Sequence, residues 1–181
     1  MKRKRIIIIC ITVLFLLIGI FLVNFERNDM DVNEALLSFS QLIENGKISS
    51  INLTIYHVNP RNFILFPYDV DFLVNNGADN IIYIKNLEAQ IDLLKQIRSD
   101  TLIPVEEESR LNAEFYYIFK TKYGRKIFDV AMWGDDYSIY INGREFKSDD
   151  IFYDIIIPFL PEDIPEYLEA CKDDANRVKD E

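Results

Sequence analysis

FYYIFKTKYGRKIFDVAMWGDDYSIYINGREF, residues 115–146, decides the fold. Phe115, Tyr117 and Phe119 alternate with Tyr116 and Ile118, the two-residue period of a strand, and the reading extends that strand over 111–121. Tyr123-Gly124-Arg125 turns the chain. Ile127, Phe128 and Val130 then mark a second strand over 126–133, and Gly134-Asp135-Asp136 makes the next turn. A short aromatic strand over 137–141 runs into Asn142-Gly143. That dipeptide tolerates the positive φ of a type I′ turn and is the strongest short hairpin signal in the chain. Residues 144–146 form the fourth strand. Together these segments predict an antiparallel meander. Such a sheet can bury one face against helices and leave the other wet.

Upstream, IIYI lies at the centre of a strand over 80–85. Asn86 then caps a helix over 87–98, with Leu87, Ile91, Leu94 and Ile97 on one stripe. Further back, Ile51, Leu53 and Ile55 alternate with polar neighbours in a strand over 47–58, and His57 continues the apolar register. A lone histidine lacks the His and Cys company that zinc requires, so a structural or solvent-facing role at the strand end is expected. Residues 63–77 admit two readings. One is a short strand over 63–66 followed by a helical turn with Val70, Leu73 and Val74 on one side, ended by Asn76-Gly77. The other is a hairpin pairing 63–74 with 80–85. Asp31 opens a capping-box spacing for a helix over 32–45, and Gly46 is placed for its C′ position. Downstream of the meander, a closing helix over 151–157 is expected to stop at Pro158, and Glu166 to Cys171 adds a further helical turn.

Helices and strands that do not strictly alternate predict an α+β domain: a mainly antiparallel sheet of four to six strands with helices packed on one face. This domain occupies residues 31–170, and an acidic charged tail follows over 171–181. Before it, IIIICITVLFLLIGIFLV, residues 6–23, is uncharged and rises about 27 Å as a helix, close to the hydrocarbon thickness of a bilayer. Lys2, Arg3, Lys4 and Arg5 resist translocation, so segment 1–5 is expected to stay cytoplasmic. Membrane lipid then contacts residues 6–23, residues 24–30 act as a spacer, and the domain lies outside a single-pass cell membrane. No small-x-small cleavage pattern follows the apolar run, which favours a retained signal anchor over a secreted product of signal cleavage. Cys10 is preceded by Ile9, a poor context for a lipoprotein leader. Cys10 and Cys171 are the two cysteines and support no internal disulfide framework.

Four of the 20 bases sit at positions 2–5. The remainder of the chain therefore sets 16 bases against all 30 acids, a net of −14. Such a surface disfavours nucleic acid, which needs clustered Lys and Arg. The sequence holds no Walker or Rossmann glycine pattern, no HExxH and no GxSxG elbow, so no cofactor and no metal ligand set is predicted. Asp69 with Asp71 falls short of a calcium shell. Glu106-Glu107-Glu108 and Asp149-Asp150 motivate a cation-responsive domain as one alternative. A carboxylate pair acting as a hydrolase on an envelope substrate is another. The candidate contacts are the meander aromatics Trp133, Tyr116, Tyr123, Tyr137 and Tyr140, because such rings are favoured at interfaces and in sugar-like grooves.

A resemblance covering roughly residues 78–157 rests on the strand IIYI, the helix NLEAQIDLLKQI and the meander YYIFKTKYGRKIFDVAMWGDDYSIYING, together with the N-terminal anchor ahead of them. In element order this unit resembles small secreted or membrane-anchored α+β proteins of Gram-positive bacteria. The resemblance implies an envelope location and a compact α+β domain, and it carries no catalytic residue to this chain. The expectation is a binding or protein-interaction module, accessory or regulatory, that contacts an envelope protein, a peptide or a cell-wall component.

Overall fold

The computed structural model describes residues 31–59, 68–77, 80–106, 113–133, 138–147 and 150–166. All of them lie in the second of the two units into which the chain divides, Asp31–Glu181. The apolar run 6–23, the spacer, Cys10, the strand expected over 63–66, Tyr137, Cys171 and the acidic tail lie outside the described residues. Among the described residues, no helix is long and apolar enough to cross a membrane.

The domain is α+β. Helix α1 (Val32–Glu44) precedes strand β1 (Ile51–His57), the short helix α2 (Val70–Phe72) and strand β2 (Asn80–Ile84). A single helical turn, α3 (Ile91–Leu94), leads to β3 (Phe115–Thr121), β4 (Lys126–Met132), β5 (Ser138–Ile141), β6 (Arg144–Lys147) and α4 (Ile151–Asp154). The strands form one six-stranded sheet in the order β2-β1-β3-β4-β5-β6, every neighbouring pair antiparallel. Beyond β6, the Lys147 N–H donates to the Ile103 carbonyl at 2.9 Å, and Pro104 bridges Phe146. A proline fits there because an outer position needs no further ladder donor.

Helix α1 is built as its residues dictate. The Asp31 carboxylate accepts the Asn33 N–H at 2.8 Å, and Val32, Ala35, Leu36, Phe39 and Ile43 are buried. At the other end the Lys47 N–H reaches the Leu42 carbonyl and the Gly46 N–H reaches that of Ile43. This Schellman closure requires the left-handed backbone that Gly46 adopts at φ +67°. Phe39 drops into the sheet's first face, 4.9 Å from Phe119 and 5.1 Å edge-on from Phe128, while those two rings lie 4.8 Å apart. Tyr117 faces the same side, and its hydroxyl donates to the Phe152 carbonyl at 2.9 Å, tying α4 to the sheet.

Several expectations are corrected. Residues 70–77 are helical, α2 running into a wider turn over Leu73–Gly77, and β2 pairs with β1, so among the described residues 70–74 do not form the strand that the hairpin with 80–85 requires. The helix expected over 87–98 is a 3₁₀ turn (Glu88–Gln90) followed by α3. Its start is held by the Asn86 side chain accepting the Glu88 N–H, and Leu87, Leu94 and Ile97 are buried as the stripe requires. Pro158 does not stop a helix. α4 ends at Asp154, and Pro158 lies in the first turn of a separate 3₁₀ segment (Ile157–Phe159), where its missing N–H leaves no bond unmade. Strand β1 starts at Ile51, after a 3₁₀ turn (Ile48–Ser50). Of the two roles expected for His57, the structural one holds and the solvent-facing one does not. His57 is fully buried in register with Ile51, Leu53 and Ile55 and stacks on Phe115 at 6.3 Å.

The second face of the sheet is not simply wet either. Tyr116, Ile118, Ala131 and Tyr140 share a buried cluster there with Val58, Ala113 and Leu73, and Tyr56, Tyr68 and Val70 pack against it. The α2 segment therefore covers part of the face opposite α1. β3 is buried on both sides from Phe115 to Phe119.

Candidate ligand-binding cleft

A cleft of about 310 Å³ opens on the second face. Its floor comes from β3 and β4 through Tyr116, Asp129 and Ala131. Tyr140 of β5 and the Asn142-Gly143 turn bound one side, and Val70 of α2 and Lys126 bound the rest.

The pairing of β3 with β4 shows why Lys126 belongs to this face. Phe119 pairs with Phe128, but Lys120 pairs with Lys126, so Ile127 is an extra residue in the ladder. In a regular strand, residues three apart point to opposite sides. The bulge cancels that alternation and puts the Lys126 ammonium 2.8 Å from the Asp129 carboxylate. Both groups are largely shielded, the Lys126 side chain 27% and the Asp129 side chain 12% exposed.

The Tyr116 hydroxyl donates to the same carboxylate oxygen, Oδ2, at 3.0 Å, and Lys126 also bonds to Oδ2. Burial first, then the Asp129 charge and the hydrogen bond to it, push the Tyr116 phenol far above its usual range. The phenol thus stays a hydrogen-bond donor at any physiological pH. Tyr56 lies against it with ring centres 5.9 Å apart, and its own phenol is raised by burial and by Tyr83. Asn142 fixes the rim. Its side-chain oxygen accepts the Asp129 N–H at 3.1 Å, and its own N–H donates to the Asp129 carbonyl at 3.1 Å. The predicted type I′ backbone is present, with φ +49° at Asn142 and +79° at Gly143.

Of the five candidate aromatics, the structure brings together Tyr116 and Tyr140, both buried in the cleft wall. Trp133 is half-buried at the end of β4, and its carbonyl accepts the Tyr153 hydroxyl at 2.6 Å. Tyr123 stands 86% exposed on the β3–β4 turn, with the Lys122 ammonium 5.0 Å from its ring centre. Seven residues of β4, roughly 20 Å, separate those two ends of the sheet, so Trp133 and Tyr123 do not share a site. Tyr137 lies outside the described residues.

Sequence reasoning missed Lys126, Asp129 and Asn142. One signal was available: Asp129 is the single charged residue inside the apolar strand IFDVAM, and a carboxylate in such a run requires a partner. The bulge that supplies the partner has no mark in the sequence.

Chemically, the arrangement holds a protonated phenol, one ion pair and two aromatic walls. The described lining contains one carboxylate, Asp129, so the two flanking acids of glycoside hydrolysis are not assembled there. Among the described residues, no group of three or more His, Cys, Asp or Glu is placed to hold a metal ion. No family model, curated protein or solved structure matches the chain.

Proposed function

We propose that this domain is a non-catalytic binding module, held by residues 6–23 at the outer face of a cell membrane and accessory to an envelope component. In this reading the ligand seat is the cleft of the second face. The observation that carries it is the bulge. A strand irregularity places Lys126 beside Asp129 in a partly shielded hollow, and bulges that re-aim a side chain concentrate at functional sites. The uncharged run 6–23 behind four basic residues, together with the acidic remainder, supports the location.

The test uses the full chain in intact cells, with a photoreactive amino acid in place of Tyr140. Illumination is expected to capture one defined envelope species, and Asp129→Asn in the same chain is expected to abolish that capture. Protease added outside the cells is expected to remove the domain. Digestion only after the membrane is breached would overturn the location, and capture indifferent to Asp129 would overturn the seat.

A further inference from the structure

The geometry points to a ligand class for this cleft: we propose that it takes a neutral, hydroxyl-rich ligand, one sugar unit of an oligosaccharide. The inference rests on the binding reading above and adds the chemistry of what is bound.

Charge comes first. The Lys126 ammonium lies 2.8 Å from the Asp129 carboxylate, so the pair presents no net charge to a ligand. The surrounding chain, at −14 beyond the apolar run, repels anions at longer range. A cation finds the one carboxylate of the described lining already paired. A neutral ligand is left as the best match.

Hydrogen bonding comes second. Lys126 and Tyr116 both bond to Oδ2 of Asp129, which leaves Oδ1 as an acceptor for a ligand. An ammonium has three protons, and one of those on Lys126 is engaged with Asp129. An acceptor and a donor thus stand side by side. Adjacent hydroxyls of a sugar meet such a pair by donating one proton and accepting another. The nearly buried Tyr116 and Tyr140 rings line the cleft and add apolar surface beside this polar pair, for the C–H groups of the same ring.

A peptide fits less well. A peptide that adds to a sheet as a strand needs main-chain bonds to a free strand edge. The cleft lies on a sheet face, where the backbone groups of β3 and β4 are engaged by their neighbouring strands. The volume, about 310 Å³, is at the small end for ligand pockets and matches a compact unit rather than a long segment.

The experiment follows amide resonances of the full chain in a detergent without a sugar headgroup. Three probes are titrated: chitotetraose, an oligogalacturonate and a tetra-alanine peptide blocked at both ends. Chitotetraose is expected to shift the Ala131, Tyr140 and Gly143 amides. Asp129→Asn and Lys126→Met are each expected to weaken its binding at least tenfold while thermal melting stays cooperative. If Asp129→Asn loses its fold, Lys126→Met and the wild-type shifts decide the matter. Tighter binding of oligogalacturonate overturns the neutral class, and binding of the blocked peptide in the cleft overturns the sugar. Absence of any shift, or sugar binding that ignores both substitutions, overturns the proposal. Failure here with Asp129-dependent capture intact in cells would remove the ligand class alone. Capture that ignores Asp129 would remove the seat itself.

Discussion

The two faces of the sheet solve different problems with similar residues. On the first, Phe39, Phe119 and Phe128 meet ring against ring, and the buried Tyr117 hydroxyl donates a hydrogen bond to a helix carbonyl. On the second, Tyr116 is buried as well, but its hydroxyl serves an ion pair that faces a cleft. The first face is filled mainly by apolar packing, with His57 buried at its edge, and carries stability. The second keeps polar groups in a shielded hollow, a costly arrangement for a purely structural surface. Burial alone therefore does not separate core from site. What a buried hydroxyl or carboxylate is bonded to does.

The sharpest way to break this comparison is Phe39→Ala. It removes a fully buried ring that touches two others, and a loss of about 3–5 kcal/mol in unfolding free energy is expected by urea titration. Leu73→Ala probes the other face. Leu73 is fully buried within the Tyr116 cluster, and a loss of about 2–3 kcal/mol is expected. A change near zero would mean that α2 is a loosely held cover and that the second face lies outside the cooperative unit.

Alkali separates the faces through their phenols. Tyr116, Tyr117 and Tyr56 have folded pKa values raised above the unfolded value near 10, in each case chiefly by burial. Above that pH the unfolded chain binds fewer protons than the native one, so stability falls as pH rises. The contribution is fully present below about pH 10 and declines by up to about 1.4 kcal/mol per pH unit for each of the deeply buried phenols, Tyr116 and Tyr117, while the half-exposed Tyr56 adds little. Absorbance at alkaline pH is expected to show exposed tyrosines titrating first and the buried ones in a cooperative step with unfolding. Tyr116→Phe is expected to move that step to higher pH, because one proton-linked penalty is gone, while costing about 1 kcal/mol at neutral pH for the lost bond to Asp129.

Much of the first face was legible from the chain. Alternation placed Ile51, Leu53 and Ile55 inward, Asn142-Gly143 fixed the last hairpin, and Gly46 closed α1. The second face was legible in part. FYYIF has no polar position, and a strand apolar on both sides implies cover on both sides. Reading only its alternation left that face wet. The α2 cover was hidden because residues 70–77 are few and their local signals balanced helix against hairpin. The Lys126–Asp129 pair was hidden for a different reason. A spacing of three unites two side chains on a helix but separates them on a regular strand, and only the register shift at Ile127 reverses this. Which aromatics would converge was equally unreadable, because strand position alone does not distinguish the covered Tyr140 from the exposed Tyr123.

The smallest expected effect tests that last distinction. Tyr123 projects from the β3–β4 turn at 86% exposure, and its contact in the structure is the Lys122 ammonium over its ring. An exposed cation–π contact contributes about 0.5 kcal/mol. Tyr123→Ala is therefore expected to change unfolding free energy by no more than about 0.5 kcal/mol and to leave capture through position 140 unaltered. The same substitution at Tyr140 removes a buried ring from the cluster that includes Tyr116, Ala131 and Leu73, so stability and the chitotetraose-induced amide shifts should both suffer. If Tyr123→Ala instead abolished capture while the domain melted normally, the contact surface would lie at the β3–β4 turn. The cleft would then be a packing defect sealed by its own ion pair, and aromatic exposure rather than convergence would have been the better guide.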